Sequence, residues 1–233
     1  MPLKAIIFGS IGTLTETSEL QREAFNAAFA GADLDWHWDA ETYRRLVADG
    51  ASGGQQRIAR YARSHGGPLT AEVVEQVHTR KSEIFQQAMA DGIPVNAGVV
   101  ETIAAARTAG IKLGFASTTS AANIDAMFAA TGPALTRSIF DELSSGDTVA
   151  NGKPAPDVYV EILYRLGVHA AEAVAIEDTM QSAEASRSAG IATLIVPGRI
   201  ARDQDFGGLP VVPSLAGFGL DDFAALLTRV PAE

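Results

Sequence analysis

Short apolar runs alternate with segments of helical periodicity over much of the chain. The runs are Ala5–Phe8, Ile111–Ala116, Ile139–Phe140, Ala173–Ile176 and Ala192–Val196. Strands that alternate with helices pair in parallel, and helices cover both faces of the sheet that they form. The pattern therefore predicts an α/β fold whose core is a doubly wound, Rossmann-like parallel sheet.

Helices in this sequence carry recognisable end signals. Between and after the apolar runs they are predicted at Gly98–Ala109, Ala121–Ala130, Pro156–Leu166, Thr179–Ala189 and around Leu220–Leu227. Three of them are followed by a glycine that can end a helix, at Gly110, Gly167 and Gly190. Upstream, Asp39 and Thr70 are expected to cap helix N-termini, because their side-chain oxygens accept from free backbone N–H groups.

A loop around Gly12–Leu14 is expected directly after the first apolar run. The stretch from Glu16 to Asp91 has no run that suits a strand, and its apolar residues recur at helical spacing, with a break expected at Gly50–Gly54. We therefore predict an all-helical cap inserted after the first strand. Residues 16–96 would form this cap domain, and residues 1–15 and 97–233 would form the α/β core domain. Two chain crossings of this kind would make a hinge that can close the cap over a site at the sheet.

The charge of the chain limits its partners. The sequence has 233 residues, of which 47% are apolar and 20% charged, as is usual for a soluble globular protein. Its formal net charge is −10, from 28 acidic and 18 basic residues. Nucleic acids and anionic membranes require clustered Lys and Arg, so we expect neither as a partner. A small anionic substrate needs only a local cationic pocket and stays open, and a protein partner cannot be named.

The absence of cysteine excludes disulfides, thiolate zinc sites and a cysteine nucleophile. It is compatible with a reducing compartment. No signal peptide follows Lys4, and no apolar run is long enough to span a bilayer. We therefore expect a cytoplasmic protein.

Polar residues follow the predicted strands at the sheet edge where ligands bind in open α/β folds. Residues Gly9 to Thr13, with the hydroxyls of Ser10 and Thr13, follow the first strand, Ser117 and Thr118 follow the second, Glu177 and Asp178 follow the fourth, and the loop before Pro154 carries Lys153. Ser117 could bond a phosphate oxygen, Lys153 could neutralise its charge, and Asp178 could hold Mg²⁺. Each also has an ordinary structural explanation, because Ser and Asp often cap helices and loop lysines are often solvated. Their joint placement at strand ends favours a phosphate and metal site.

Four stretches of the sequence resemble the motifs of the haloacid dehalogenase superfamily of phosphatases. They are "GTL" at Gly12–Leu14, "GIKLGFAST" with Ser117, "GKPAPDVY" with Lys153, and "VAIEDTMQSAEASRSAG" with Glu177 and Asp178. The helical insertion also resembles this family. Within it, "ELQREAFNAAFAGADLDWHWD" and "GGQQRI" are similar to the CbbY-like sugar-phosphate phosphatases.

The first motif departs from the family pattern, Asp-x-Asp-Gly-Thr-Leu. Gly9 stands where the resemblance implies the nucleophilic aspartate, and Ile11 where it implies the acid/base aspartate. Glycine has no side chain to attack phosphorus, and isoleucine cannot transfer a proton. Loss of a catalytic nucleophile lowers the rate on the order of a millionfold. Ser10 is also polar where the family is usually apolar, and three altered neighbours resemble natural drift more than an engineered change.

The remaining site residues follow from the resemblance. Phosphate or substrate contacts are implied for Gly12, Ser117, Thr118, Lys153 and Arg57, and metal ligands for Asp178, Glu177 and the Ile11 backbone carbonyl. Mg²⁺ binding would be weakened by the missing aspartate but not abolished, since one or two carboxylates plus a substrate phosphate can hold it. Gln55 replaces an expected lysine, which removes one positive charge facing a second phosphate and makes a bisphosphate substrate less favoured.

Another residue could replace the missing nucleophilic aspartate only if its side chain were positioned to attack phosphorus. Glu16 is the nearest acid and is expected at the hinge. The histidines at 37, 65, 78 and 169 show no metal-ligand spacing and are expected in surface or capping roles.

We therefore expect a phosphatase-fold protein whose aspartyl-phosphate catalysis is lost or severely weakened, and which can still bind a small phosphorylated metabolite. An active Mg²⁺-dependent phosphomonoesterase with another nucleophile and a protein-interaction module are the alternatives. The module would show an apolar patch on the cap.

Overall fold

A parallel five-stranded sheet forms the centre of the computed structural model, which describes residues 2–49 and 53–228. The strands are β1 (Ala5–Phe8), β2 (Lys112–Ala116), β3 (Glu142–Ser144), β4 (Ala173–Glu177) and β5 (Ala192–Ile195), and the order across the sheet is β3-β2-β1-β4-β5. All pairs are parallel. The predicted doubly wound α/β fold is confirmed, and β1 lies at its centre.

Ten α-helices are described around and beside this sheet. They are α1 (Ile11–Leu14), α2 (Ser18–Ala30), α3 (Ala40–Ala48), α4 (Gly53–Ser64), α5 (Ala71–Met89), α6 (Val99–Thr108), α7 (Ala121–Thr131), α8 (Asp157–Leu166), α9 (Met180–Ser188) and α10 (Leu220–Leu226). We call residues 16–96 the helical insertion. No strand occurs in its described part, 16–49 and 53–96, although the division of the chain into two domains at its ends stays a prediction.

Alternate residues of the strands face opposite layers of helices. In β1, Ile6 and Phe8 join a cluster with α6, α7 and α10, whereas Ala5 and Ile7 join one with α8 and α9. Both layers exclude water, because every residue of β1 is buried. The insertion has its own core, in which Phe25 and Phe29 pack against Trp38 with ring centroids 4.7 Å apart.

Side-chain caps fix several helix starts. Asp39 and Thr70 accept from backbone N–H groups of α3 and α5, as predicted. In the core, Ser120 caps α7 and Thr179 caps α9. Because neighbouring residues fill these capping positions, Ser117 and Asp178 are not required as helix caps.

Two local predictions were wrong, and one lies outside the described residues. Ile139 ends a 3-10 turn, and the third strand is Glu142–Ser144 at the sheet edge, where three residues pair with β2. The stretch after β1 forms the single helical turn α1 instead of a loop. The predicted break at Gly50–Gly54 falls partly on residues 50–52, which are not described, and α4 begins at Gly53.

None of the helices in the described ranges is both long enough and apolar enough to traverse a lipid bilayer.

Candidate functional site

A cavity of about 490 Å³ lies between the helical insertion and the carboxyl edge of the sheet. Its core side includes the predicted site residues Ser117, Thr118, Lys153 and Asp178, and its other side includes Arg57 of α4. The structure therefore brings these residues together at one cavity. Their chemical roles stay predictions.

The turn after β1 shapes the floor of the cavity. Ser10 caps α1 by accepting from the Thr13 backbone N–H, and its hydroxyl acts to lower the pKa of the Asp178 carboxyl. Ile11 is only 6% exposed and joins the core cluster. A methyl group on Gly12 would overlap with Asp178 Oδ2 and lie 3.0 Å from its Cγ, so this glycine lets the carboxylate approach the backbone.

Behind the floor, Glu177 occupies the space beside Gly9. The Glu177 side chain is fully buried, and its Oε1 accepts from the Tyr159 hydroxyl and from Lys153 Nζ at 2.8 Å. Lys153 also donates to the Gly9 carbonyl and lies 3.2 Å from the Tyr159 hydroxyl oxygen. Glu177 does not line the cavity, whereas Lys153 does.

Burial governs the ionisation of the two adjacent carboxylates. Desolvation raises the pKa of Glu177 to about 7, and the charge of Lys153 acts in the opposite direction. Desolvation also raises the pKa of Asp178, against the charge of Lys153 and the hydrogen bond from Ser10. Both carboxylates are therefore stabilised by nearby cations and donors, and less by water.

Two cavity residues on the core side carry hydroxyl groups and lie just after the end of β2. Ser117 is 4% exposed, and its Oγ accepts from the Thr119 N–H at 3.2 Å. Thr118 is half-buried beside it. A hydroxyl that accepts from the backbone still has a proton to donate, so Ser117 can bond an oxyanion in the cavity.

The insertion contributes a group of basic side chains that we call the insertion cluster, made of Arg57, His78 and Lys81. All three line the cavity, and among the described residues no carboxylate forms an ion pair with any of them. Arg57 Nε is buried without a hydrogen-bond partner. Buried cations that have no carboxylate partner favour an anionic ligand.

Lys81 is the most buried member of this cluster. It is 4% exposed, donates to the Gln21 side chain, and lies 4.8 and 4.7 Å from the ring centroids of Phe25 and Phe85. Desolvation, reinforced by the charge of Arg57, lowers the pKa of Lys81 to about 7. Desolvation and the charge of Lys81 lower the pKa of His78 to about 4, so this imidazole is neutral at pH 7.

Sequence reasoning missed Lys81, although a signal was present. Lys81 interrupts the buried face of α5, which otherwise carries Val74, Val77, Phe85 and Met89. A lysine at such a position is either buried for a purpose or bends to solvent along its alkyl stem. The surface or capping role expected for the histidines was wrong for His78, which is half-buried, whereas the other three histidines are exposed.

The position of Gln55 bears on the binding of a second phosphate, and that of Glu16 on the replacement of the missing aspartate. Gln55 lines the cavity, so the expected lysine is absent from the site itself. Both Glu16 carboxylate oxygens are occupied, since they accept from the backbone N–H groups of Ser18 at 2.9 Å and Arg199 at 2.7 Å. This acid ties the start of the insertion to the core.

The second crossing between insertion and core is fixed to the same turn. Asn96 Nδ2 donates to the carbonyls of Gly12 at 2.9 Å and Thr13 at 3.3 Å, and a β-bridge joins Thr15 to Val95. No local sequence pattern marks this role of Asn96, because its partners are about 80 residues away.

Magnesium would need oxygen ligands that the residues provide only in part. Among residues 2–49 and 53–228, no group of three or more His, Cys, Asp or Glu is arranged to hold a metal. The Ile11 carbonyl already accepts from the Thr15 N–H and hydroxyl. In the described part of the chain, two carboxylates line the cavity, Asp178 at its floor and Asp147, which accepts from the Ala121 backbone N–H at 2.6 Å. One carboxylate and a phosphate suffice for weak Mg²⁺ binding, so the residues fit this ion together with a bound phosphate.

Comparison with known proteins identifies related chains. Residues 3–190 match the family model of haloacid dehalogenase-like hydrolases. The protein CbbY of Cereibacter sphaeroides is 40% identical over 225 residues, which cover 96% of this chain and 94% of that protein.

Two solved structures share the fold over nearly the whole chain. CbbY from Rhodobacter sphaeroides in complex with phosphate has a TM-score of 0.86 at 39% identity, covering 95% of this chain and 99% of that one. A mutant of the same protein in complex with xylulose 1,5-bisphosphate has a TM-score of 0.85 at 40% identity, covering 94% and 98%.

Proposed function

Because the chain belongs to the haloacid dehalogenase-like hydrolase family, we propose that it binds a phosphorylated sugar in its cavity but has lost, or nearly lost, aspartyl-phosphate catalysis. The observation that carries the proposal is that Arg57, Lys81, Lys153 and Ser117 line one cavity while the first motif beside it has no carboxylate. Hydrolases of this family generally use Mg²⁺, and Mg²⁺ bound at Asp178 would neutralise phosphate charge here.

The core end of the cavity would hold one phosphate. Ser117 and Thr118 would donate hydroxyl hydrogen bonds, Gly12 would supply its backbone N–H, and Lys153 would add charge from the cavity floor. Charge-assisted hydrogen bonds of this kind position a phosphate without needing a nucleophile.

The insertion cluster would hold a second anionic group. Arg57 provides a cation at the opposite side of the cavity, and an anion bound beside Lys81 would favour its charged form, which supplies the positive charge that Gln55 does not. A sugar bisphosphate therefore fits this site better than the sequence alone suggested. Support comes from the relative that was crystallised with xylulose 1,5-bisphosphate.

Calorimetry tests this proposal. We expect wild-type protein to bind inorganic phosphate, a sugar monophosphate and xylulose 1,5-bisphosphate with increasing affinity when Mg²⁺ is present, and to release no phosphate from the esters. Lys81→Met should remove the advantage of the bisphosphate. Absence of heat with all three compounds would refute binding. Phosphate release that Asp178→Asn abolishes would refute the loss of catalysis.

Hydrolysis by another nucleophile is a second candidate, favoured by the position of Ser10. Its hydroxyl lines the cavity and acts to lower the pKa of the Asp178 carboxyl, which lines the same cavity. Attack of Ser10 Oγ on phosphorus would transfer its proton to the departing sugar oxygen and leave a phosphoserine. Mass spectrometry after incubation with a sugar phosphate would detect that product, and Ser10→Ala would prevent it.

A role in protein interaction has less support. The large apolar side chains that are exposed in the described ranges are Val100, Val160, Tyr164 and Val211, and all lie outside the helical insertion. We also place the protein in the cytoplasm, where sugar phosphates are found, as part of this proposal.

A further inference from the structure

The position of the missing first-motif side chain is already filled. A Cβ placed on Gly9 would overlap with Glu177 Oε1, Glu177 Cδ and the Tyr159 hydroxyl. Gly9 and Glu177 come from neighbouring strands, because Phe8 of β1 pairs with Ile176 of β4. A carboxylate therefore lies beside the backbone of Gly9, but it belongs to a side chain of β4.

Lys153 is saturated by this arrangement. An ammonium group has three N–H donors. The three acceptors around Lys153 Nζ are Glu177 Oε1 at 2.8 Å, the Tyr159 hydroxyl oxygen at 3.2 Å and the Gly9 carbonyl. Lys153 is 4% exposed and Glu177 is fully buried, so little water competes with these bonds.

We propose that Glu177 takes the place of the absent side chain at position 9 and, held by Tyr159, positions and neutralises Lys153 beneath the cavity. Glu177 is a positioning residue in this account, because it does not line the cavity and so does not touch a ligand there. The inference rests on the proposed function, since Lys153 is one of the groups assigned to the phosphate.

Moving the carboxylate from position 177 to position 9 tests whether Glu177 takes the place of the absent side chain. Gly9→Asp would crowd two carboxylates against one ammonium, and Glu177→Ala would leave Lys153 buried and unpaired. Each single variant should lower the Tm. The double variant Gly9→Asp/Glu177→Ala returns one carboxylate to one space, so its Tm should exceed that of both single variants.

A double variant no more stable than the more stable single variant would overturn the exchange. Gly31→Ala is the matched control for a glycine change. A Cβ at Gly31 meets its nearest atom at 3.5 Å, an ordinary contact, and its φ is −71°. These unfolding measurements need no phosphate, so they decide the inference even if the proposed ligand is wrong.

Calorimetry with inorganic phosphate, without added Mg²⁺, tests whether Glu177 neutralises Lys153. Glu177→Gln keeps the side-chain shape but removes the charge that compensates Lys153. Inorganic phosphate should then bind roughly tenfold tighter, the scale of one charged hydrogen bond, while the Tm falls. Tyr159→Phe should free one N–H of Lys153 and tighten binding by a smaller factor. Unchanged or weaker phosphate binding by Glu177→Gln would overturn the neutralising role.

Discussion

Lys81→Met should stabilise the protein while it weakens ligand binding. Methionine keeps an unbranched apolar chain between Phe25 and Phe85, but it removes an ammonium that forms no ion pair with a described carboxylate. Burial lowers the pKa of Lys81 from 10.5 to about 7, which corresponds to about 5 kcal/mol against the charged form.

The expected gain is smaller than this figure, because the substitution also removes the hydrogen bond to Gln21 and two cation–π interactions. We expect the free energy of unfolding at pH 7 to rise by about 1 to 3 kcal/mol. Arg80→Met, an exposed neighbour on the same helix paired with Glu83, should change it by less than about 0.5 kcal/mol.

The stabilisation by Lys81→Met should change with pH in a defined direction. Since the pKa of Lys81 is lower in the folded state, the unfolded state binds more protons between pH 7 and 10.5, and wild-type stability rises with pH in this window. The gain from Lys81→Met should therefore shrink by about 2 kcal/mol between pH 7 and pH 9. Urea denaturation at both pH values measures it. A destabilised variant, or a gain that does not change with pH, would refute the reasoning.

Four further substitutions separate stability from binding. Thr70→Ala removes an exposed cap and should lower the free energy of unfolding by about 1 kcal/mol without changing phosphate affinity in calorimetry, whereas Ser117→Ala should weaken phosphate binding. Gly12→Ala should displace the Asp178 carboxylate, and Mg²⁺ should then no longer enhance phosphate binding. Asn96→Ala should lower the free energy of unfolding by about 1 to 2 kcal/mol, because two hydrogen bonds are removed, in the same urea assay.

The sheet could be predicted because its central strands are buried on both faces. Runs such as Ala5–Phe8 then contain only apolar residues, which a local pattern reveals. The edge strand Glu142–Ser144 has three residues and two of them are half-buried, so neither length nor apolarity marked it. The strand was therefore predicted at the more apolar neighbouring pair, Ile139–Phe140.

The site could be located from the sequence but not assembled. Strand ends converge in a parallel sheet, so Ser117, Lys153 and Asp178 were expected together. The filling of the space at Gly9 by Glu177 depends on strand register and on the reach of a side chain from the neighbouring strand. No pattern along the chain encodes that distance.

The bridge between Thr15 and Val95 places the start and the end of the helical insertion side by side. A segment whose two ends meet can be excised or exchanged without a change in strand order, because the gap left behind is bridged by a short linker. We therefore expect the sheet and the helical insertion to behave as separable modules in a genetic sense. One can diverge in ligand preference while the other keeps its scaffold, which is a route by which a hydrolase fold acquires a new task.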